Sequence, residues 1–245
     1  MNHLVFELDR LIGQYSQQPN VEIELRLGWQ TPERFDTNIG KMYYDFIQEA
    51  LMRSNMPRTD SVSDVYTQNN TRIITDSRGK IIDAHKKIKV ETVDFLLHGT
   101  PFDVRLSVCM EIPVKKRVNL AECRYLRSRA RNTWVHDDWV YDLTYVTQSE
   151  PSGPFTDSLF SFEFELELLK GRTDNSSFLA QSGVMKLCDL LQINPYDQSV
   201  ISKIKLNQRN KNHLKKRTIV RHNKDNSNRQ NDNQQQQQRY SLQEL

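Results

Sequence analysis

Two segments of this 245-residue chain alternate strictly between apolar and charged side chains. In Val21-Glu22-Ile23-Glu24-Leu25-Arg26-Leu27 every odd position is apolar and every even one charged. Phe162-Glu163-Phe164-Glu165-Leu166-Glu167-Leu168 does the same with the parity reversed, placing three glutamates in a row. Period two belongs to an extended strand, whose successive side chains point to opposite faces, with same-face neighbours roughly 7 Å apart. A lone strand of this kind usually turns its charged face to water. Two acidic rows need another reason, because mixed charge would solubilise a surface equally well without the repulsion. A divalent cation held between the rows removes the difficulty. Mg²⁺ and Mn²⁺ are hard ions that take a few carboxylates and leave positions for water or phosphate oxygens.

Other alternating segments are basic. Leu126-Arg127-Ser128-Arg129-Ala130-Arg131 puts three guanidiniums on one side. Arg105, Ser107 and Glu111 share the polar face of 103–112. His85, Lys87 and Lys89 lie opposite Ile88 and Val90, and Arg72 sits in a short strand of its own. The planar fork of arginine matches phosphate oxygens, and several forks with lysines can hold a polyphosphate along its length. In Trp139-Val140-Tyr141-Asp142-Leu143-Thr144-Tyr145-Val146, Asp142 is placed to orient an arginine and Thr144 to make a hydrogen bond. Acidic and basic rows on faces of one sheet imply a closed barrel with a charged interior, suited to a metal–polyphosphate complex.

Helical spacing predicts an amphipathic helix over 2–17, a second capped by Thr37 and ending before Pro57, and a third over 176–192. Strands are predicted at 20–28, 62–67, 70–76, 84–93, 102–114, 123–132, 138–147 and 161–169. Many strands, few helices and short connections imply an α+β, mainly β, protein: an antiparallel sheet or barrel with helices packed outside.

Residues 1–206 form the predicted domain. From Asn207 the composition turns to Asn, Gln, Lys and Arg, with five glutamines at 234–238, which reads as a disordered tail or linker. The tail holds nine Lys/Arg against three Asp/Glu, so the net charge of +3 conceals a mildly acidic body. Such a body is not built as a general nucleic-acid binder. No apolar run is long enough to span a membrane, and the N-terminal stretch does not read as a signal peptide. Three widely spaced cysteines exclude a disulfide scaffold or a Cys-x-x-Cys zinc site and point to an intracellular protein, with cytoplasm, nucleus and viral particle all permitted, and host cytoplasm or virion if the chain is viral. Phosphate-loop, dinucleotide-binding, nucleophile-elbow, zinc-helix and nucleotidyl-transfer motifs are all missing from the sequence.

Taken together, Val21–Arg26, Val104–Pro113, Arg127–Trp134, Asp142–Val146 and Phe162–Leu168 resemble the triphosphate tunnel metalloenzymes. More narrowly they resemble the metal-dependent RNA 5′-triphosphatases of mRNA capping, with a viral flavour in Arg-Leu-Ser-Val-Cys-Met-Glu-Ile-Pro-Val and in the triple-arginine run. The resemblance covers about residues 20–170. It implies an eight-stranded antiparallel tunnel with helices outside, and hydrolysis of the γ-phosphate of 5′-triphosphate RNA with Mg²⁺ or Mn²⁺. Glu22, Glu24, Glu165 and Glu167 would hold the metal. Arg26, Arg72, Lys87, Arg105, Arg127, Arg129 and Arg131 would grip the triphosphate, with Glu111, Asp142 and Thr144 in support. Lys86 and Lys89 compete with Lys87 for the phosphate, and either Glu163 or Glu165 would orient the attacking water. Nucleoside triphosphates are implied as side substrates, and guanylyltransferase and methyltransferase modules as partners. Two other readings remain: a small-triphosphate hydrolase such as a tripolyphosphatase on the same fold, and a non-catalytic RNA-binding barrel.

Overall fold

The predicted alternation becomes eight long strands closed into an antiparallel barrel in a computed structural model of the chain. It describes residues 2–68, 70–98, 100–114, 120, 123, 125–149, 159–171, 175–193 and 201–203. In order, the elements are α1 (Asn2–Tyr15), β1 (Val21–Gln30), β2 (Phe35–Asp36), α2 (Lys41–Met52), β3 (Arg58–Gln68), β4 (Thr71–Asp76), β5 (Ile81–Leu97), β6 (Asp103–Pro113), β7 (Tyr125–His136), β8 (Trp139–Ser149), β9 (Leu159–Leu168), α3 (Ser176–Leu191) and β10 (Ile201–Lys203). Around the barrel the strands run β5-β4-β3-β7-β8-β9-β1, and β6 closes the ring by pairing with both β1 and β5. The short strand β10 adds to the end of β5. The predicted tail lies outside the described residues.

The described residues 2–29 and 36–203 belong to one compact unit, and 30–35 to a second. In the second, 30–35 form a tight turn in which the Thr31 amide and hydroxyl both donate to the Arg34 carbonyl at 2.8 Å.

The apolar core of the first unit lies outside the ring. Ile23, Leu25, Leu106, Val108, Leu143 and Leu166 belong to one buried cluster with Leu4, Leu8 and Leu11 of α1 and with Leu179, Val184 and Leu187 of α3. The amphipathic strands thus turn their apolar faces to the helices, leaving the charged faces for the interior. No described helix is long and apolar enough to cross a membrane.

Two expectations need correction. Helix α2 does not start at Thr37: its N-cap is Gly40, at φ 78° and without a side-chain cap. Asn38 Oδ1 accepts from the Gly40 amide at 3.1 Å and the Phe162 amide at 3.0 Å, while the Ile39 amide donates to the Phe162 carbonyl at 2.8 Å. Segment 37–40 is stitched along β9, which leaves Thr37 no freedom to cap a helix. Strand β5 is also longer than 84–93, and it carries a bulge between Lys89 and Glu91.

Helix α3 is seated by a glycine. Asn175 caps its first turn, accepting from the Ser177 amide at 2.9 Å. At Gly183 a methyl group would meet the buried Trp139 ring at 2.3–2.8 Å. Gly183→Ala is therefore expected to destabilise by about 1–3 kcal/mol through overpacking, although alanine is the better helix former. Thermal unfolding of the variant checks this, with a lowered melting temperature as the expected result.

Candidate active site

Strand register places the charged rows of β1, β6 and β9 side by side. Glu22 stands opposite Cys109, Glu24 opposite Ser107 and Glu167, and Arg26 opposite Arg105 and Glu165. Asp142 and Thr144 of β8 face Glu165 and Glu163, and Arg131 of β7 faces Thr144. The side chains then form short chains of ion pairs. Glu165 is bound by Arg26 on one oxygen and by Arg131 Nη2 at 3.3 Å on the other. Arg131 also donates from Nη1 to Asp142 at 2.6 Å and from Nε to Thr144 Oγ1 at 3.0 Å, so three of its donors are engaged by the wall. Glu163 accepts three bonds on Oε1: from Arg127 at 2.7 Å, Ser161 at 3.0 Å and Thr37 at 3.3 Å. Lys87 pairs with Glu22. Glu111 meets Lys170 at 2.9 Å and His85 at 3.4 Å, and so supports no arginine.

These walls surround a cavity of about 370 Å³. Arg72, Lys87, Lys89, Arg105, Arg127 and Arg129 line it, together with Glu24, Arg26 and Thr37. Lys86, by contrast, does not line it. Among the described residues neither Arg72, Arg129 nor Lys89 has an ion-pair partner; Arg129 has only the Ser63 hydroxyl, at 3.3 Å. Burial and the neighbouring Arg131 pull the Arg129 guanidinium down to about 10, the signature of a cation short of an anion.

Two groups escaped the sequence reading. Asp94 receives both arms of Arg105, at 2.7 and 2.9 Å. Strict alternation through β5 would put Asp94 on the face opposite Lys87. The bulge at Val90 reverses the parity, so Asp94 pairs with Arg105 and Thr92 with Ser107. Thr37 reaches the site from the strap along β9, where no periodicity signals it.

The family model described as mRNA capping enzyme, beta chain, matches residues 53–187, more than half of the chain. The RNA triphosphatase Pct1 of S. pombe is similar in structure, with a TM-score of 0.65 at 18% identity over 78% of this chain and 93% of that one. The RNA triphosphatase domain of a trifunctional mimivirus mRNA capping enzyme gives a TM-score of 0.53 at 14% identity over 78% and 99%. At these identities the structural likeness is one of fold, and it extends to a fungal as well as a viral enzyme. No curated protein sequence matches the chain.

Charge in the cavity is unevenly balanced. Burial, partly opposed by Arg26, pushes the Glu24 carboxyl up to about 7. Burial together with Glu22 and Glu165 pushes Glu167 up to about 8. Burial acts on Glu165 as well, but Arg26 and Arg131 outweigh it and hold that carboxyl at about 2. Glu24 Oε2 is buried with no hydrogen-bond partner. Carboxylate oxygens of Glu22 and Glu24 and the Cys109 sulfur lie within 4.8 Å of one another. Crowded oxygens of this kind, offset only by Lys87 on Glu22 and Arg26 on Glu24, fit a divalent cation, with Glu22 and Glu24 as donors, Glu167 opposite Glu24 in the ladder, and Glu165 already committed to arginines. A carboxyl raised in the folded state binds more protons folded than unfolded, so its contribution weakens stability as pH rises. The metal-free protein is therefore expected to lose thermal stability between about pH 5 and pH 8 through Glu24 and Glu167. Mg²⁺ or Mn²⁺ should restore it, most strongly at the upper end. Melting temperatures across pH with and without metal test this; a metal effect that is independent of pH would contradict it.

Proposed function

The chain belongs to the mRNA capping enzyme beta-chain family and is an RNA 5′-triphosphatase, and from that premise we propose a metal-dependent removal of the γ-phosphate from triphosphate-ended RNA. The observation that carries the proposal is the division of one cavity between unpaired cations and surplus carboxylates. Arg72, Arg129 and Lys89 have no ion-pair partner among the described residues and can bind phosphate oxygens, while Glu22 and Glu24, each held by a single cation (Lys87 and Arg26), and the raised Glu167 can take a dication.

Phosphoryl transfer requires positioning and charge neutralisation more than covalent chemistry from the protein. Mg²⁺ or Mn²⁺ at the glutamates would supply Lewis-acid withdrawal of charge from phosphate oxygens. Arg72, Arg129 and Lys89 bind the triphosphate, joined by Lys87 once its ammonium exchanges Glu22 for phosphate. Arg26 and Arg131 hold Glu165, with Asp142 and Thr144 fixing the plane of Arg131. Arg105 is fixed in turn by Asp94. Glu163 orients the attacking water through Oε2, because Oε1 already accepts from Arg127, Ser161 and Thr37. The water oxygen bonds to the γ-phosphorus as the bond to the β–γ bridging oxygen breaks, giving a 5′-diphosphate end and inorganic phosphate.

Nucleoside triphosphates present the same three phosphates and should be hydrolysed as side substrates. A 5′-diphosphate end is the substrate for guanylyl transfer, so guanylyltransferase and methyltransferase modules are the expected partners, within an intracellular or virion setting. The mimivirus relative is a trifunctional capping enzyme, which supports that placement. A relative also has a structure in complex with the Spt5 CTD, that of Pct1.

Release of labelled phosphate from γ-labelled triphosphate RNA, with Mg²⁺, Mn²⁺ or chelator, tests the reading, with tripolyphosphate and ATP compared alongside. Glu24→Ala and Glu165→Ala should each lower the rate by about two to three orders of magnitude, the scale of a lost charge-stabilising group. Near-normal release by both folded variants would remove the proposal.

A further inference from the structure

Cys109 lies on the wrong face for a packing residue. Along β6 the core-forming side chains are Val104, Leu106 and Val108, whereas Cys109 shares the parity of Arg105 and Ser107 and lines the charged cavity. It stands directly opposite Glu22 across the β1–β6 ladder and is buried at 6% exposure. Its sulfur and the carboxylate oxygens of Glu22 and Glu24 all lie within 4.8 Å of one another, a grouping that can converge on one ion. A second observation points to the same place: Glu24, only 3% exposed, has an oxygen with no hydrogen-bond partner. The other two cysteines differ. Cys188 belongs to the apolar cluster of α3, and neither it nor Cys123 has acidic ligand atoms grouped with it among the described residues.

We infer that Cys109 is a further ligand of the Glu22–Glu24 cation site, which therefore takes thiophilic dications such as Cd²⁺ and Zn²⁺ through sulfur as well as oxygen. The inference rests on the proposed function for the location of the cation but not for its chemistry. Thiolate is a soft donor that favours Zn²⁺ and Cd²⁺ and contributes little to Mg²⁺, so one sulfur among carboxylates widens the range of metals the site accepts. On ligation the thiol gives its proton to solvent. The Lys87 ammonium reaches the same Glu22 carboxylate, so an incoming dication must compete with it.

The test is ultraviolet titration of the metal-free full chain with Cd²⁺. Sulfur ligation should produce a thiolate-to-metal charge-transfer band that saturates at one equivalent. Cys109→Ser should abolish the band and reduce the ratio of Cd²⁺ to Mn²⁺ affinity, measured by calorimetry, by on the order of tenfold or more. Glu24→Gln, which leaves all three cysteines in place, should weaken Cd²⁺ binding and shift the same band to higher concentration, tying the thiolate to this site even if Cys109→Ser folds poorly. No band in the wild type overturns the inference, as does a band that survives in Cys109→Ser or is indifferent to Glu24→Gln. Phosphate release from RNA without a band would remove the sulfur ligand and leave the triphosphatase standing. A band without phosphate release would do the reverse.

Discussion

Enclosing many ionisable side chains in a closed barrel is tolerable only if most of the charges find an opposite, and the link from Arg26 through Glu165 to Arg131 does this for three of them across three strands. Taking a charge out of water costs several kcal/mol per ion, repaid only by good geometry and further hydrogen bonds. Glu165 meets that requirement with a guanidinium on each oxygen, and Arg131 adds Asp142 and Thr144. The depressed Glu165 carboxyl and the raised Glu24 and Glu167 carboxyls follow from the same distribution of partners. Glu165 draws two arginines and Glu163 one, whereas Glu24 must share Arg26 with Glu165 and Glu167 has no ion pair among the described residues. The imbalance defines the site: the wall is neutralised where it must be rigid and left charged where a ligand enters.

Much of the interior is legible in the sequence because a strand translates parity directly into facing. The alternation in 21–27, 126–131, 139–146 and 162–168 identifies which side chains look inward, and β1, β7, β8 and β9 pair without a register shift. Parity also separates Lys87 and Lys89 from Lys86. It fails where the backbone breaks the alternation. The bulge at Val90 moves Asp94 to the inner face, and a sequence with no marker of a bulge gives no sign of it. Thr37 is hidden for a different reason. A threonine ahead of an amphipathic run has the look of a helix cap, but the bonds joining Asn38 and Ile39 to Phe162, and Thr37 to Glu163, hold it as part of a strap. Pairing is hidden as well. Three arginines in a row look equivalent, yet Arg127 and Arg131 are occupied by carboxylates while Arg129 is not.

The two faces of each strand also divide stability from chemistry. Because the apolar core sits between the barrel wall and α1 and α3, the interior carries little of the packing and can hold charged groups around a cavity. An ordinary small barrel fills its interior with side chains to hold itself together. Here the burial of Leu25, Leu106, Leu143 and Leu166 against the helices does that work from outside. Closure then adds a constraint that an open sheet would lack: with β6 hydrogen-bonded to both β1 and β5, the acidic strand β1 and the lysines of β5 cannot separate. Positions of opposite charge are fixed relative to one another before any ligand arrives, which is the preorganisation that makes electrostatic stabilisation of a phosphoryl group effective.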